Sequence, residues 1–381
     1  MMDLASTAPG TNGWRQGLDD VVVARTALSD IDGGAGRLTY RGHDAVALAR
    51  ARRFEDVWRL FHEGVCPADD AFRRRTAGFR ASPLPDVTLA GLARAGGAFM
   101  ARLQAAIAAA GAAWDARPWL DAPSAQTEAL ALRTASVLPT LVAALWRLSQ
   151  GDAAVAPEPA LGHAADYLRM LEGATPDAER VLGLERYLVL TAEHSLNAST
   201  FTARVVASTG ADVVSAVSAA AGALAGPLHG GAPSLVLDML DAIGTPENAT
   251  RWIDDALASG RRLMGFGHRV YRAEDPRAAC LRETAEALGG ARVALARAVE
   301  AIALDRLRAA KPGRPLHTNV EFWSAVVLER VGIPRALFTP TFCVSRTVGW
   351  TAHVREQIHD NRLIRPAAAY VGPHIETVAA G

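Results

Sequence analysis

The chain has 381 residues, 50% of them hydrophobic, which is enough to bury a large core and predicts two domains. Its formal net charge is zero, so bulk electrostatic attraction to nucleic acid or to an anionic membrane is not expected. Lys311 is the single lysine among 40 Lys and Arg residues, which leaves one candidate for Schiff-base or Walker-type phosphate chemistry.

Cysteine usage and the N-terminal composition predict a cytoplasmic protein. Cys66, Cys280 and Cys343 lie far apart and form no C-x-x-C pair, which is typical of a chain that stays in a reducing compartment. Residues 1–20 lack the basic and apolar regions of a secretory signal and are too acidic for a mitochondrial presequence. Charges such as Arg133 interrupt the apolar runs, so no membrane-spanning segment is expected.

Strand signals are confined to the N-terminal region. The segments "VVVARTAL" (21–28) and "GRLTYRG" (36–42) flank the turn-rich "SDIDGGA" (29–35), a pattern that predicts a short antiparallel ribbon.

The rest of the chain is predicted to be mainly helical. Apolar residues recur three and four apart over 54–64, 86–111 and 126–148, with arginines on the opposite face. Residues 151–162, "GDAAVAPEPALG", are predicted to form a loop. These helical patterns indicate a mainly α fold. The sequence contains no internal repeat or heptad array.

Polar residues at helix junctions are the candidates for a functional site. His194 and Asn197 interrupt a helical pattern, and His229 lies between Gly226-Pro227 and Gly230-Gly231, where one helix is expected to end and another to begin. The positive end of a helix dipole disfavours imidazolium, so a neutral His229 that donates a hydrogen bond is expected there.

The segment "MGFGHRVYRAEDPRA" (264–278) is the most unusual of these junctions. Two glycines break any helix, and His268 follows them directly, with Arg272 and Arg277 further along the same segment. One histidine beside several guanidinium groups fits a pocket wall that holds an anion next to a proton donor. A surface loop with solvated arginines is the alternative.

Three further candidates lie near the C-terminus. Glu321 falls in the first turn of an apolar helix, and Arg346 and Arg365 lie in "SRTVGWTAHVREQIHDNRLIRP". Each residue has an ordinary structural explanation when it is taken singly. A first-turn carboxylate stabilises the helix dipole, an arginine is usually solvated or paired, and a histidine at a helix end is usually a cap or a satisfied core residue.

Several classes of chemistry have no local motif here. The closest histidines, His353 and His359, lie six positions apart, so no H-x-x-x-H metal face is present and no metal or other cofactor is expected. There is neither a G-x-S-x-G elbow nor a G-x-G-x-x-G turn after a strand, which removes the local signals of a hydrolase or a dinucleotide-binding domain.

Taken together, five segments in one order resemble the citrate synthase family. They are "EHSLNASTFTARVVAST", "GPLHGGA", "MGFGHRVYRAEDPRA", "NVEFWSAVVLERVGIP" and "SRTVGWTAHVREQ…RLIRPAAAYVGP", and residues 27–49 look like the family's N-terminal ribbon. The resemblance covers roughly residues 17–373 and is strongest to the shorter bacterial type, the citrate synthase 2 group. It implies a mainly α, two-domain fold, with 1–222 and 329–381 as the large domain and 223–328 as a small domain carrying much of the active site.

The resemblance also implies a role for each matched residue. His229 matches the histidine that hydrogen-bonds the thioester carbonyl of acetyl-CoA, and His268 matches the donor to the oxaloacetate ketone. Glu321 stands where most of the family has an aspartate base. Substrate-binding positions are matched by His194, Arg277 and Arg346.

Two arginines match positions outside this catalytic group. Arg272 corresponds to a basic residue that contacts a coenzyme A phosphate. Arg365 corresponds to an arginine that reaches the neighbouring site across a homodimer interface. The implied activity is condensation of acetyl-CoA with oxaloacetate and water to citrate and CoA, without a metal.

Three alternatives to that activity remain open. A 2-methylcitrate synthase would use propionyl-CoA on the same scaffold, and one methylene is worth only about 1–3 kcal/mol of discrimination. The second alternative is a non-catalytic relative that binds CoA or a dicarboxylate, and it remains open because Glu321 replaces the family's usual aspartate. Citryl-CoA cleavage is the third.

Overall fold

The computed structural model describes residues 15–19, 21–313 and 316–372, and it shows a mainly α-helical protein. The prediction of a cytoplasmic protein used residues 1–20, and most of these residues lie outside the described ranges. The first ten helices are α1 (Ala45–Ala51), α2 (Phe54–Glu63), α3 (Asp70–Gly78), α4 (Asp86–Arg94), α5 (Phe99–Ala113), α6 (Ser124–Gln150), α7 (His163–Glu172), α8 (Ala178–Thr191), α9 (Ala198–Ser208) and α10 (Val213–Leu224). The others are α11 (Ala232–Ile243), α12 (Pro246–Ala258), α13 (Pro276–Leu288), α14 (Ala291–Ala310), α15 (Val320–Arg330) and α16 (Phe338–His359).

The N-terminal ribbon is present, but its first strand was predicted in the wrong place. Strand β1 is Ser29–Asp32, within the segment predicted to be the turn, and it pairs antiparallel with β2, Arg37–Tyr40. A two-residue strand, β3 (His43–Asp44), follows on the other side of β2. Residues 21–28, although rich in valine, form no strand because no neighbouring strand pairs with them in the described part of the chain.

The helix predicted over 86–111 is also divided in the structure. Helix α4 ends at Arg94 and α5 begins at Phe99, with Gly96 and Gly97 in the connection. Gly97 has a φ of 95°, a left-handed conformation that interrupts an α-helix and that glycine adopts at little cost. The predicted helices over 54–64 and 126–148 and the predicted loop over 151–162 are confirmed.

The core of the protein is built around the long helices α6 and α16. Helix α16 packs against α6, α8, α9 and α10, and residues 130–145 of α6 are almost entirely buried. Helix α6 is long and apolar enough to cross a membrane by length and composition alone. However, 78% of its most apolar window is buried inside the protein, as expected for a central core helix.

Helices α11 to α15 pack mainly on one another and present one side to the core. Helix α13 packs along α15, and α12 packs along α14. Both α13 and α15 also contact α8, which leads into the segment of His194. The predicted boundaries at 222/223 and 328/329 fall inside the last turns of α10 and α15. The division into a large and a small domain remains a prediction.

Candidate active site

Two glycines of the His268 loop have a left-handed backbone conformation. Gly265 and Gly267 both have a φ of 87°, and a Cβ on Gly265 would lie 2.6 Å from the Cβ of Phe322. The loop folds back so that the backbone N–H groups of Val270 and Tyr271 donate to Nδ1 of His268, at 2.9 and 3.1 Å. Because Nδ1 accepts both bonds, the proton of the neutral ring is assigned to Nε2, which lies 3.5 Å from Nη2 of Arg277, at the limit of a hydrogen bond, and can donate to a ligand.

Arg277 is fixed in place by Asp275, a residue that the sequence reasoning missed. The Asp275 carboxylate takes bonds from Nε and Nη2 of Arg277 at 3.0 and 2.8 Å, and both side chains are buried. It also accepts from the backbone N–H of Val320 at 3.1 Å, which joins α13 to the start of α15. The local signal was the Asp-Pro pair at the beginning of α13, where Asp275 is the N-cap.

His194 lies next to His268 in the loop between α8 and α9. The two rings are 5.5 Å apart in an edge-on arrangement, and Nε2 of His194 contacts the Tyr271 hydroxyl at 3.3 Å. Burial, followed by the positive charge of Arg277, keeps the pKa of His194 well below its usual range. The same two causes lower the pKa of His268 to about 4, so both rings are neutral near pH 7.

His229 lies in the turn between α10 and α11, two residues before the N-cap Gly231 rather than at the helix start itself. Its Nε2 is 2.8 Å from Oγ of Ser199, and that hydroxyl also accepts from Nε1 of Trp350 at 3.2 Å and contacts Oδ1 of Asn197 at 2.8 Å. Burial, with a smaller effect from Arg346, lowers the pKa of His229 to about 4. This histidine is also neutral near pH 7, but the cause is burial and not the helix dipole from which its neutrality was predicted.

Arg346 is a buried cation without a direct ion pair among the described residues, and its main electrostatic compensation is the charge of Glu193. Its side chain is 2% exposed, its Nε donates to the Thr191 carbonyl at 2.8 Å, and its guanidinium lies 4.7 Å over the Phe342 ring. Within the described residues, no carboxylate lies within salt-bridge distance of it and its two Nη atoms have no hydrogen-bond acceptor. A buried charge without a partner is costly. A bound carboxylate would supply both the charge and the acceptors.

Glu321 lies in the first turn of α15, as predicted. The N-cap Asn319 accepts from its backbone N–H at 3.1 Å, and Asn319 also donates to the Gly267 carbonyl at 2.8 Å, which joins Glu321 to the His268 loop. Burial raises the Glu321 pKa to about 7, and the charges of Arg277 and Arg346 act in the opposite direction. A carboxyl group that titrates near neutrality is suited to accept a proton and release it again.

The structure brings six of the eight predicted residues into one electrostatically connected group. They are His194, His229, His268, Arg277, Glu321 and Arg346. Ser199, Tyr271 and Trp350 contact this group and were not predicted. They lie in segments that carry the family resemblance, but no local pattern distinguishes them from their neighbours.

Arg272 and Arg365 lie outside that group. Arg272 is exposed at the rim of a cavity of about 500 Å³, which is also lined by His268, Tyr271, Leu316 and His317. Arg365 is exposed in the C-terminal segment and forms no ion pair or hydrogen bond with the described residues. Among those residues, no group of three or more His, Cys, Asp or Glu side chains is placed to hold a metal ion.

Comparison with known proteins assigns this chain to one family. Residues 17–367 match the family described as citrate synthase, C-terminal domain. A citrate synthase from Haloferax volcanii is 41% identical over 366 residues, covering 94% of this chain and 96% of the relative. A 2-methylcitrate synthase from Mycobacterium tuberculosis is 37% identical over 373 residues, covering 96% and 92%.

Solved structures support the same assignment. The citrate synthase of Thermoplasma acidophilum, in a ternary complex with carboxymethyl coenzyme A and oxaloacetate, has a TM-score of 0.86 at 29% identity and covers 96% of this chain and 98% of its own. The fold and its relatives define a mainly helical condensing enzyme of the transferase class. The chain belongs to the citrate synthase family.

Proposed function

We propose that this protein is a citrate synthase, which condenses acetyl-CoA with oxaloacetate and water to give citrate and free CoA. The observation that supports it most is the buried Arg346, whose unpaired charge shares a site with Glu321, a carboxyl group with a pKa of about 7. Such a site binds a carboxylate substrate and holds a base beside it. The Thermoplasma acidophilum relative is a complex with oxaloacetate and a coenzyme A derivative, which fits this pair of substrates.

The first step is removal of a proton from the acetyl methyl group. The Glu321 carboxylate takes the proton, and the thioester oxygen gains negative charge as the enolate forms. A neutral His229 stabilises that oxygen by hydrogen bonding through Nδ1–H. This tautomer requires Ser199 to donate its hydroxyl proton to Nε2 of His229 rather than to Asn197.

The second step forms the carbon–carbon bond. The enolate carbon attacks the ketone carbon of oxaloacetate and the thioester carbonyl re-forms, while Nε2–H of His268 gives its proton to the ketone oxygen. The proton that Glu321 took up then restores the neutral His268 ring, and the product is citryl-CoA. Arg277 and Arg346 hold the oxaloacetate carboxylates by charge-assisted hydrogen bonds. Water then cleaves the thioester to release citrate and CoA, and no metal takes part in this sequence.

A thiol-release assay tests the proposal. The purified protein is supplied with oxaloacetate and either acetyl-CoA or propionyl-CoA, and kcat/KM is compared. A clear preference for acetyl-CoA supports a citrate synthase. A preference for propionyl-CoA indicates a 2-methylcitrate synthase, the candidate favoured by the 37% identical relative of that name. Absence of thiol release with both thioesters, together with retained oxaloacetate binding, indicates a non-catalytic binding protein.

The proposal includes a homodimer in which Arg365 completes the neighbouring site. Its exposure on the C-terminal segment leaves its guanidinium available for a partner subunit. Arg365→Ala and His268→Ala are expected to be inactive separately, whereas a mixed dimer regains one working site because one subunit supplies each missing residue. If mixed dimers form and remain inactive, Arg365 does not act across the interface.

A further inference from the structure

The N-terminal ribbon contacts the His194 segment at one end. Oγ of Ser29, in β1, donates to Oε1 of Glu193 at 2.8 Å and accepts from the backbone N–H of Ser195 at 3.1 Å. In β2, the Tyr40 hydroxyl is 3.1 Å from the Glu193 carbonyl oxygen. The residues on both sides of His194 are therefore held by the ribbon.

The other end of the ribbon contacts the His268 loop. The Gly33 carbonyl, in the β1–β2 turn, accepts from the backbone N–H of Arg272 at 2.8 Å. The approach is so close that a Cβ on Gly33 would lie 2.4 Å from the Val270 carbonyl oxygen. The N–H groups of Val270 and Tyr271 are the two donors to Nδ1 of His268, so this turn abuts the segment that orients the ring.

Between these two ends the ribbon is well supported. Leu38 and Tyr40 are 1% and 0% exposed, and the strands pair in register from Ser29 opposite Tyr40 to Asp32 opposite Arg37. Oδ1 of Asp32 accepts from the Ala35 N–H at 2.8 Å and closes the turn. A packed and hydrogen-bonded ribbon transmits a displacement of one end to the other instead of absorbing it.

We infer that the ribbon is a brace that sets the position of His268 relative to His194, and that Gly33 is a positioning residue for the reaction. Gly33 acts through the 270–272 backbone and touches no substrate. The expected effect on oxaloacetate rests on the proposed function, in which His194 and His268 contact this substrate. Misplacing a reacting group by about 1 Å can cost a hundredfold in rate.

Two adjacent glycines in the same turn provide a matched test. Gly33→Ala introduces the contact with Val270, whereas a Cβ on Gly34 would meet only Oδ1 of Asp32, at an ordinary 3.5 Å. Neither glycine has a φ in the left-handed region. Gly33→Ala is therefore expected to lower kcat/KM for oxaloacetate by about 10- to 100-fold. Gly34→Ala should stay within about twofold of wild type.

Histidine NMR titration gives a readout that is independent of activity. Loosening the loop admits water to His268, so its titration midpoint should move upward from about 4 in Gly33→Ala and stay unchanged in Gly34→Ala. A change confined to the melting temperature, with both kcat/KM and the His268 midpoint as in wild type, would overturn the inference.

Two further outcomes are distinguishable. If wild type releases no thiol, the proposed function fails, and the NMR titration still decides whether Gly33 positions His268. If Gly33→Ala does not fold, Ser29→Ala tests the opposite end of the brace, where it removes the hydroxyl that Glu193 and Ser195 share. It should raise the oxaloacetate KM, and an unchanged KM would contradict the brace.

Discussion

The two buried arginines of the site lie in opposite electrostatic settings. Arg277 is held by both carboxylate oxygens of Asp275, in a segment that also ties down the start of α15. Arg346 lies on the core helix α16, with one bond to a backbone carbonyl and an aromatic ring beneath it. The charge of Arg277 is compensated by a direct ion pair before any ligand arrives, whereas Arg346 has only the longer-range attraction of Glu193. We therefore expect the first arginine to support both the architecture and ligand binding, and the second mainly ligand binding.

The largest expected effect is that of Arg277→Met. Removing the guanidinium leaves the buried Asp275 carboxylate without its partner, and breaking a buried ion pair in this way costs about 3–5 kcal/mol of unfolding free energy. Urea unfolding with and without oxaloacetate measures both consequences. We expect a large fall in stability and little stabilisation by the ligand. A variant as stable as wild type would show that Asp275 does not depend on Arg277.

Arg346→Met is the matched substitution in the other setting. No carboxylate among the described residues loses a direct ion pair, but the buried Glu193 loses a charge that helps to keep it ionised, so a smaller fall in the unfolding free energy is expected than in Arg277→Met. Oxaloacetate affinity should fall on the order of 10- to 100-fold, because charge-assisted hydrogen bonds contribute about 1.5–3 kcal/mol each. Calorimetric titration with oxaloacetate measures the affinity. Equal losses of stability in the two arginine variants would contradict the comparison.

The smallest effect is expected in the pH dependence of the reaction. In the proposed reaction Glu321 must be ionised, and its pKa is raised to about 7, so kcat/KM for the thioester should rise with pH through about 7 and level off above it. Both arginines lower this pKa, with the larger effect from Arg277. The midpoint should therefore move upward in Arg346→Met and further upward in Arg277→Met. A midpoint that does not respond to either substitution would place the titrating group elsewhere.

The raised pKa of Glu321 also determines how the free energy of unfolding depends on pH. The folded-state pKa of Glu321 lies above its unfolded value, so the neutral carboxyl group is favoured in the native protein. Its contribution to stability is fully present below pH 4.5 and is lost as the pH rises through about 7.

Much of the fold was predictable where local pattern and tertiary environment agree. Helix α2 has an apolar face and ends at Gly64, a left-handed C-cap, and both features are visible in the sequence. Glu321 follows the capping Asn319, so its first-turn position could also be predicted. The exact start of α11 could not, because the Gly-Gly pair after His229 is compatible with several helix starts.

The misplaced first strand and the missed Asp275 share one physical origin, which is that long-range contacts decide the outcome. Strand β1 has a polar sequence and forms because β2 pairs with it and because Ser29 binds Glu193, 164 residues away in the chain. Asp275 resembles an ordinary N-cap until its bond to Val320, 45 residues later, is seen. The secondary-structure propensities of neighbouring residues predict neither interaction.

The central claim is that Glu321 is the base of the reaction, and one substitution tests it directly. Glu321→Gln keeps the shape of the side chain and removes its charge. With acetyl-CoA and oxaloacetate, kcat should fall by about 10²–10⁴, the usual contribution of a general acid–base group, while calorimetry still detects oxaloacetate binding. Glu321→Asp is the companion variant, and partial activity is expected because the shorter side chain keeps the charge but misplaces it. Thiol release by Glu321→Gln at the wild-type rate would contradict the account.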